Sequence, residues 1–308
     1  MHLFVRHLRR DWQLYLIILI PVLYSLIFSY GPMYGIQIAF RDFRPNMGIT
    51  GSPWVGWKWF QKFLGLPKFG EVFLNTLILS GYSLVVSFPL PIIFALLLNS
   101  LRSEKFKKAA QTISYMPHFI SMTVMVSIVF MVFSPINGLY GNLYRFFGGQ
   151  GDPVDFRYSA SVFRHLYVWS GIWQSLGWSS IIYVAALSSV SQDLHEAARV
   201  DGASRFQRIL HVDIPAILPQ IGILLILRCG SLISVGFEKA YLMQAPAGQN
   251  LSTSEIISTY VYKNGLKSWT SYSYGAAIGL FNSVINVTLL LIVNYISRKV
   301  SEKEVALF

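Results

Sequence analysis

Charged residues and cysteine are both scarce in this sequence. Asp, Glu, Lys and Arg make up 13% of its 308 residues, whereas 54% are hydrophobic, and the mean hydropathy is +0.49. A water-soluble core of this length cannot bury so much apolar surface, which excludes an ordinary soluble domain. The single cysteine, Cys229, excludes an intrachain disulfide and a multi-cysteine metal site. The apolar residues are therefore expected to face a bilayer.

Motifs for ATP binding and for common hydrolytic chemistry are also missing. No Gly-xxxx-Gly-Lys-Ser/Thr phosphate-binding loop occurs, so this chain is not expected to hydrolyse ATP by itself. His195-Glu196 begins like a zinc-protease helix, but Arg199 stands where the second histidine ligand is required. Gly-x-Ser-x-Gly and paired intramembrane carboxylates are absent as well. The sequence therefore predicts no catalytic residue and no metal or cofactor bound by this chain.

Long apolar runs make up most of the sequence. A transmembrane helix needs about 20 apolar residues at ~1.5 Å each, and six runs approach this length. They cover residues 12–32, 72–98, 112–134, 164–189, 217–237 and 275–297. We predict an all-α, multi-pass membrane protein with about six transmembrane helices, forming a single domain over residues 1–308.

Basic residues lie in the segments between these runs. The net charge is +11, but the basic residues form no continuous basic face, which argues against nucleic-acid binding. Six spans put both termini on one side of the membrane. With the N-terminus inside, the short inner segments carry basic clusters directly beside the spans, such as Arg9/Arg10 and Arg298/Lys299. Because the positive-inside rule weighs such short segments most, we predict that both termini are cytoplasmic.

One segment, residues 190–219, is too polar to cross a membrane and too regular for a passive linker. Helical spacing of its apolar residues stops at Gly202 and resumes until Pro215 and Pro219, which predicts two short helices joined at the glycine. The segment is net acidic, whereas the other inner segments are basic. This departure from the topology rule indicates a protein partner.

The same segment resembles a known motif. The EAA loop of binding-protein-dependent ABC importers is similar to Glu196-Ala197-Ala198, Asp201-Gly202-Ala203, Ile214-Pro215 and Leu218-Pro219. Nearly the whole chain also resembles the LplB-like branch of sugar permeases. That likeness rests on Asp11-Trp-Gln-Leu-Tyr15, the ten residues from Gly31 to Phe40, Pro117-His-Phe-Ile-Ser121 and Gly236-Phe-Glu-Lys239.

The resemblance implies a type I, MetI-like importer fold in the bacterial cytoplasmic membrane. It implies uptake of oligosaccharides by alternating access, with three kinds of partner besides lipid and substrate. These are a second homologous permease in a heterodimer, two cytoplasmic ATPase subunits that carry ATP and Mg²⁺, and an extracytoplasmic solute-binding protein. An ordinary amphipathic cytoplasmic hairpin is the alternative for the loop. The residues implied to couple it to the ATPase are Glu196, Ala197, Ala198, Asp201, Gly202, Arg205 and Phe206.

Polar residues within apolar runs are costly and usually face the interior of a helix bundle. Arg228 stands out among them, and it would also favour an acidic sugar. The predicted substrate path consists of Trp173, Gln174, Trp178, Arg228, Ser231, Asn282 and Asn286. The alternative is structural: interhelical hydrogen bonds for the Asn and Gln side chains, and an ion pair or snorkelling for Arg228.

Two other classes of protein stay open on the sequence alone. A secondary transporter would show inverted repeats and intramembrane carboxylates, and neither is visible in this sequence. A membrane-embedded glycosyl- or phosphotransferase would show clustered Asp, Glu or His residues at the membrane surface, and these are not visible either. An ABC importer permease is therefore the favoured interpretation.

Overall fold

The computed structural model describes residues 12–234, 236–266 and 272–300 of the chain, which are mostly helical. The α-helices are α1 Trp12–Ser25, α2 Gly48–Gly51, α3 Lys58–Leu64, α4 Phe69–Ser87, α5 Pro89–Asn99, α6 Glu104–Tyr115, α7 Met122–Val132, α8 Leu139–Phe146, α9 Ala160–Ser188, α10 Gln192–Val200, α11 Arg205–Arg208, α12 Ile214–Gly230, α13 Phe237–Leu242, α14 Leu251–Ser254, α15 Ile257–Val261 and α16 Tyr272–Val300. Extended pairing within these ranges consists of two isolated bridges, Arg41–Trp54 and Arg44–Gly48. The all-α class is confirmed. Arg6, Arg9, Arg10 and Asp11, on which parts of the sequence analysis rest, lie outside the described residues.

Four helical stretches in the described ranges are long and apolar enough to cross a membrane. They are Trp12–Phe40, Phe69–Asn99, Arg205–Gly230 and Tyr272–Ile296. Glu104–Phe119 and Met122–Val132 form a fifth if they count as one span, although a bend of 105° separates them. The predicted span at 164–189 coincides with α9, whose 29 residues would extend about 43 Å but include several polar side chains. The predicted total of six spans therefore stays a prediction.

The chain divides into two compact units, so its description as a single domain also stays a prediction. The first unit takes the described residues of Met1–Leu66 and Val261–Phe281. Phe40 is surrounded there by three aromatic rings, those of Trp54, Trp57 and Phe60, at centroid distances of 5.3 to 5.5 Å. None of the residues of α1 is buried within this chain. An apolar helix so exposed needs lipid or another subunit to cover it.

The second unit takes the described residues of Pro67–Tyr260 and Asn282–Phe308. Its long helix α9 contacts α4, α5, α6, α7 and α12. One core cluster includes Leu79, Met125 and Phe163, and another includes Ala95 and Tyr183. The predicted coupling loop, residues 190–219, and the predicted path residues all lie in this unit.

Two prolines do not end the second predicted loop helix, so that part of the prediction is wrong. α11 continues through a π-helical turn, Ile209–Asp213, directly into α12. Pro215 is the second residue of α12, directly after the π-helical turn. Pro219 lies inside the same helix. The membrane-facing stretch therefore begins before residue 217, and its helix ends at Gly230 rather than at residue 237.

Candidate coupling loop and substrate path

The predicted coupling loop begins with helix α10, which is capped by hydrogen bonds at both ends. The Ser191 hydroxyl accepts a hydrogen bond from the Asp193 N–H at 3.2 Å at the start of α10. At its end, the Gly202 N–H donates to the Arg199 carbonyl at 3.1 Å and the Ala203 N–H to the Ala198 carbonyl at 2.8 Å. This paired arrangement requires the first of the two donor residues to be left-handed. Gly202 has a φ of +79°, which explains why glycine stands there.

The second helix of the loop has its own start signal. The Ser204 hydroxyl accepts from the Gln207 N–H, and the Gln207 side chain accepts in return from the Ser204 N–H at 2.8 Å. This capping box satisfies two N–H groups that the first turn leaves unpaired. The two helices joined at Gly202 were therefore correctly predicted, apart from where the second one ends.

Large apolar side chains of this loop face outward. The exposed fractions are 55% for Leu194, 88% for Val200 and 72% for Phe206. The predicted coupling residues Glu196, Ala197, Asp201, Gly202, Arg205 and Phe206 are exposed, and Ala198 is half-buried. Exposed apolar side chains beside polar ones are typical of a surface that binds another protein.

Asp213 has a structural role that the sequence pattern does not indicate. Only 4% of this residue is exposed. Its Oδ1 atom lies 3.4 Å from His195 Nε2 and accepts a hydrogen bond from Asn99 Nδ2 at 3.4 Å. Asp213 thus links the coupling helix α10 to the end of α5 and to the start of α12. Its partners lie far away along the chain, so no local pattern indicates them.

Two cavities of the second unit share Arg228. One has a volume of about 210 Å³ and the other of about 250 Å³. Besides Arg228, the first is lined by Ser231 and the second by Trp178, so three of the seven predicted path residues border these cavities. Trp178 also stacks on His118 with ring centroids 4.4 Å apart. Arg228 forms no ion pair within the part of the chain that the structure describes.

Other predicted path residues make the hydrogen bonds that the structural alternative expects. Gln174 Nε2 donates to the Ile120 carbonyl at 2.9 Å. Asn286 accepts from the Ile233 N–H at 3.1 Å and donates to the Ser234 hydroxyl at 2.7 Å. Trp173 and Asn282 do not line either cavity. Their assignment to the path therefore stays a prediction.

The first cavity also contains hydroxyl groups that are not among the predicted path residues. Ser80, Ser83 and Ser87 of α4 line it together with Ser234 and Tyr167. The first three recur at a spacing of three and four residues, so they share one face of the helix. Serines at this spacing within an apolar run are the sequence pattern that could have indicated a polar face lining a cavity.

A lysine is buried beside this region, in the short helix α13, outside every candidate span. Lys239 is 5% exposed, and its ammonium lies 4.6 Å from the centre of the Tyr167 ring and donates to the Tyr167 carbonyl at 2.5 Å. Because burial disfavours the charged form, the pKa of Lys239 is lowered to about 7.

The permease motif and the helical architecture agree with comparisons to known proteins. A family model described as "Binding-protein-dependent transport system inner membrane component" matches residues 87–302. The chain belongs to this family. It is therefore a multi-pass inner-membrane permease subunit of an ABC importer, a transport subunit rather than a secondary transporter or a transferase.

Similar proteins are found in Bacillus subtilis (strain 168). Protein LplB is 42% identical over 296 residues, which cover 96% of this chain and 92% of the relative. The polygalacturonan/rhamnogalacturonan transport system permease protein YteP is 42% identical over 290 residues, which cover 94% of this chain and 89% of the relative.

Two solved structures share the fold over nearly the whole chain. A chain of a bacterial ABC transporter involved in the import of the acidic polysaccharide alginate matches with a TM-score of 0.87 and 38% identity, covering 98% of this chain and 100% of that chain. A chain of the alginate transporter in complex with an alginate pentasaccharide-bound periplasmic protein gives a TM-score of 0.86 and 37% identity, covering 96% of this chain and 98% of that chain. The predicted ABC importer permease fold is confirmed.

Proposed function

We propose that this permease imports acidic oligosaccharides by alternating access. It pairs with a second, different permease, receives its substrate from an extracytoplasmic binding protein and has both termini in the cytoplasm. Two separate ATPase subunits bind ATP and Mg²⁺, and one of them docks on the loop at residues 190–219. The single observation that carries the proposal is the geometry of this loop. Its first helix, α10, is capped at both ends, exposes apolar side chains and contacts the helix bundle through Asp213.

The loop is suited to transmit movement. α10 is closed at both ends by its own hydrogen bonds, so it can move as one body when a partner pushes on it. His195 of α10 contacts Asp213, and Asp213 also accepts from Asn99. A displacement of α10 would therefore pull on α5 and α12 together.

The cavities around Arg228 suit an acidic sugar. A guanidinium binds a carboxylate through two parallel hydrogen bonds. Serine hydroxyls can donate to and accept from sugar hydroxyls, and Trp178 offers an aromatic face. The alginate transporter that shares this fold imports an acidic polysaccharide, which supports the same chemical class for this chain.

The docking part of the proposal is tested with Phe206→Ala. Because Phe206 is 72% exposed, its truncation should leave the permease intact but weaken retention of the ATPase during purification of the assembled importer. Phe146→Ala is the matched control, since Phe146 is 81% exposed and lies between the predicted spans 112–134 and 164–189, in a segment that cytoplasmic termini place on the opposite side of the membrane from the loop. Equal ATPase retention in both variants would contradict docking at this loop.

The substrate part is tested with Arg228→Gln and Arg228→Lys. Transport is measured with an acidic and a neutral oligosaccharide of equal length, each delivered by a binding protein that accepts it. A hydrogen bond to a charged group contributes about 1.5–3 kcal/mol, so Arg228→Gln should weaken handling of the acidic substrate about 10- to 150-fold. Arg228→Lys should retain part of it. An equal loss for both substrates would assign Arg228 to structure instead.

A further inference from the structure

A cavity of about 870 Å³ lies between the segment that follows α5 and the predicted coupling loop. Its wall brings together the two internal segments that the topology prediction assigns to the cytoplasm. Five cationic side chains line it, namely Arg102, Lys107, Arg199, Arg205 and Arg208. Of these five, only Arg205 is among the predicted ATPase-coupling residues, and that prediction gives no role to the other four.

The acidic and basic side chains of the loop lie in different places relative to the cavity. Three of its four carboxylates, Asp193, Glu196 and Asp201, do not line the cavity. The fourth, Asp213, does line it but is engaged by His195 and Asn99. The loop is net acidic as a sequence, yet its basic side chains converge on one cavity.

Among the five cationic groups, Arg208 is attracted by the Asp213 carboxylate. None of the five forms an ion pair within residues 12–234, 236–266 and 272–300. The Nε atom of Arg208 is buried and has no hydrogen-bond partner there. Like charges in one cavity repel each other, and a buried donor without an acceptor is costly. An anion with several acceptor oxygens would relieve both penalties.

The position of the cavity indicates the source of such an anion. Asn99 at its wall ends the apolar stretch Phe69–Asn99, and Arg205, Arg208 and Asp213 lie in the first turns of the stretch Arg205–Gly230. The cavity therefore lies where two apolar helical stretches end, and the ends of membrane-spanning helices are where lipid head groups are found. Basic pockets between helices on the cytoplasmic side of a membrane bind anionic head groups.

We propose that this cavity binds a phosphate group, supplied by an anionic phospholipid of the cytoplasmic leaflet. The proposal rests on the sidedness given under the proposed function. Arg199 and Arg205 belong to the coupling loop, whereas Arg102 and Lys107 follow α5. A phosphate held between them would connect the membrane surface to the coupling loop.

The test uses a matched pair of lysines on α6. Lys107 lines the cavity, whereas Lys105, two residues earlier, does not line it and is exposed. The assembled importer is prepared as wild type, Lys107→Gln and Lys105→Gln, without nucleotide or binding protein. Binding is measured for short-chain phosphatidylglycerol, for phosphatidylcholine and for inorganic pyrophosphate.

A basic residue near a membrane surface contributes about 1 kcal/mol to anionic lipid binding, which is about fivefold in affinity. We expect phosphatidylglycerol to bind about fivefold more weakly to Lys107→Gln and equally to Lys105→Gln and wild type. Arg102→Gln repeats the test from the other part of the wall. A Lys107-dependent affinity for pyrophosphate alone would support the phosphate site with a free phosphate as its source.

Equal binding of every probe to the two lysine variants would overturn the proposal. So would loss of the ATPase from Lys107→Gln with unchanged phospholipid binding, because the cavity would then hold an acidic surface of a partner subunit. Neither measurement involves sugar or ATP hydrolysis. Failure of the phosphate site is therefore distinguishable from failure of the proposed import function.

Discussion

Replacing Gly202 by alanine isolates the backbone conformation of the coupling loop. Gly202 has a φ of +79°, and a Cβ built on it meets no atom within 4 Å. The substitution thus causes no steric clash, and its whole cost comes from holding an L-residue in the left-handed region, about 1–2 kcal/mol. If the ATPase recognises the loop only in this conformation, its affinity should fall about 5- to 30-fold.

The assay is a titration of the purified ATPase subunit against the permease pair in lipid nanodiscs. Gly148→Ala is the matched control, because Gly148 has a φ of +80° and equally open surroundings but lies outside the loop. Gly202→Asn should lose less affinity than Gly202→Ala, since asparagine tolerates the left-handed region better. The reasoning is refuted if Gly202→Ala and Gly148→Ala bind the ATPase equally well.

Two further predictions concern stability. A Cβ on Gly177 would lie 2.3 Å from the Ser114 carbonyl oxygen, so Gly177→Ala should destabilise the permease by about 1–3 kcal/mol; Gly81→Ala, with open space around its Cβ, should leave the melting temperature in detergent unchanged or raise it. Lys239 has its pKa lowered to about 7, so between pH 7 and about 10 the unfolded chain binds more protons than the folded one, and stability should rise with pH by at most about 1.4 kcal/mol per unit. Lys239→Met should abolish this rise, and a melting temperature with the same pH dependence in both proteins would contradict the burial of a neutral lysine.

Local chemistry explains which features of the coupling loop were predictable. Gly202 and the helical spacing on either side of it lie within a few residues of one another, so the turn and both helices could be recognised. The end of the second helix could not, because the π turn at Ile209–Asp213 leads the chain into α12 and lets a helix continue past Pro215. Pro219 lies inside α12, because a proline bends a membrane-spanning helix without having to end it.

Long-range contacts explain what was missed. In the sequence, nothing distinguishes Asp213 from the other charged residues of the loop. Its contacts with Asn99 and His195 form only when the chain is folded. The hydrogen bond that Asn286 accepts from the Ile233 N–H is likewise a long-range contact, and the place of Asn286 on the substrate path stays a prediction. A polar residue in an apolar run shows that a partner must exist, without showing whether the partner is substrate or protein.

The capping of α10 also has a consequence for the speed and cost of assembly. A short helix without caps would be largely unfolded in isolation and would have to become ordered when another subunit arrives. Ser191 and the hydrogen bonds around Gly202 hold this helix in shape beforehand. Association therefore loses little conformational entropy at the loop, and a push delivered at its exposed face reaches Asp213 instead of being dissipated by unwinding the helix.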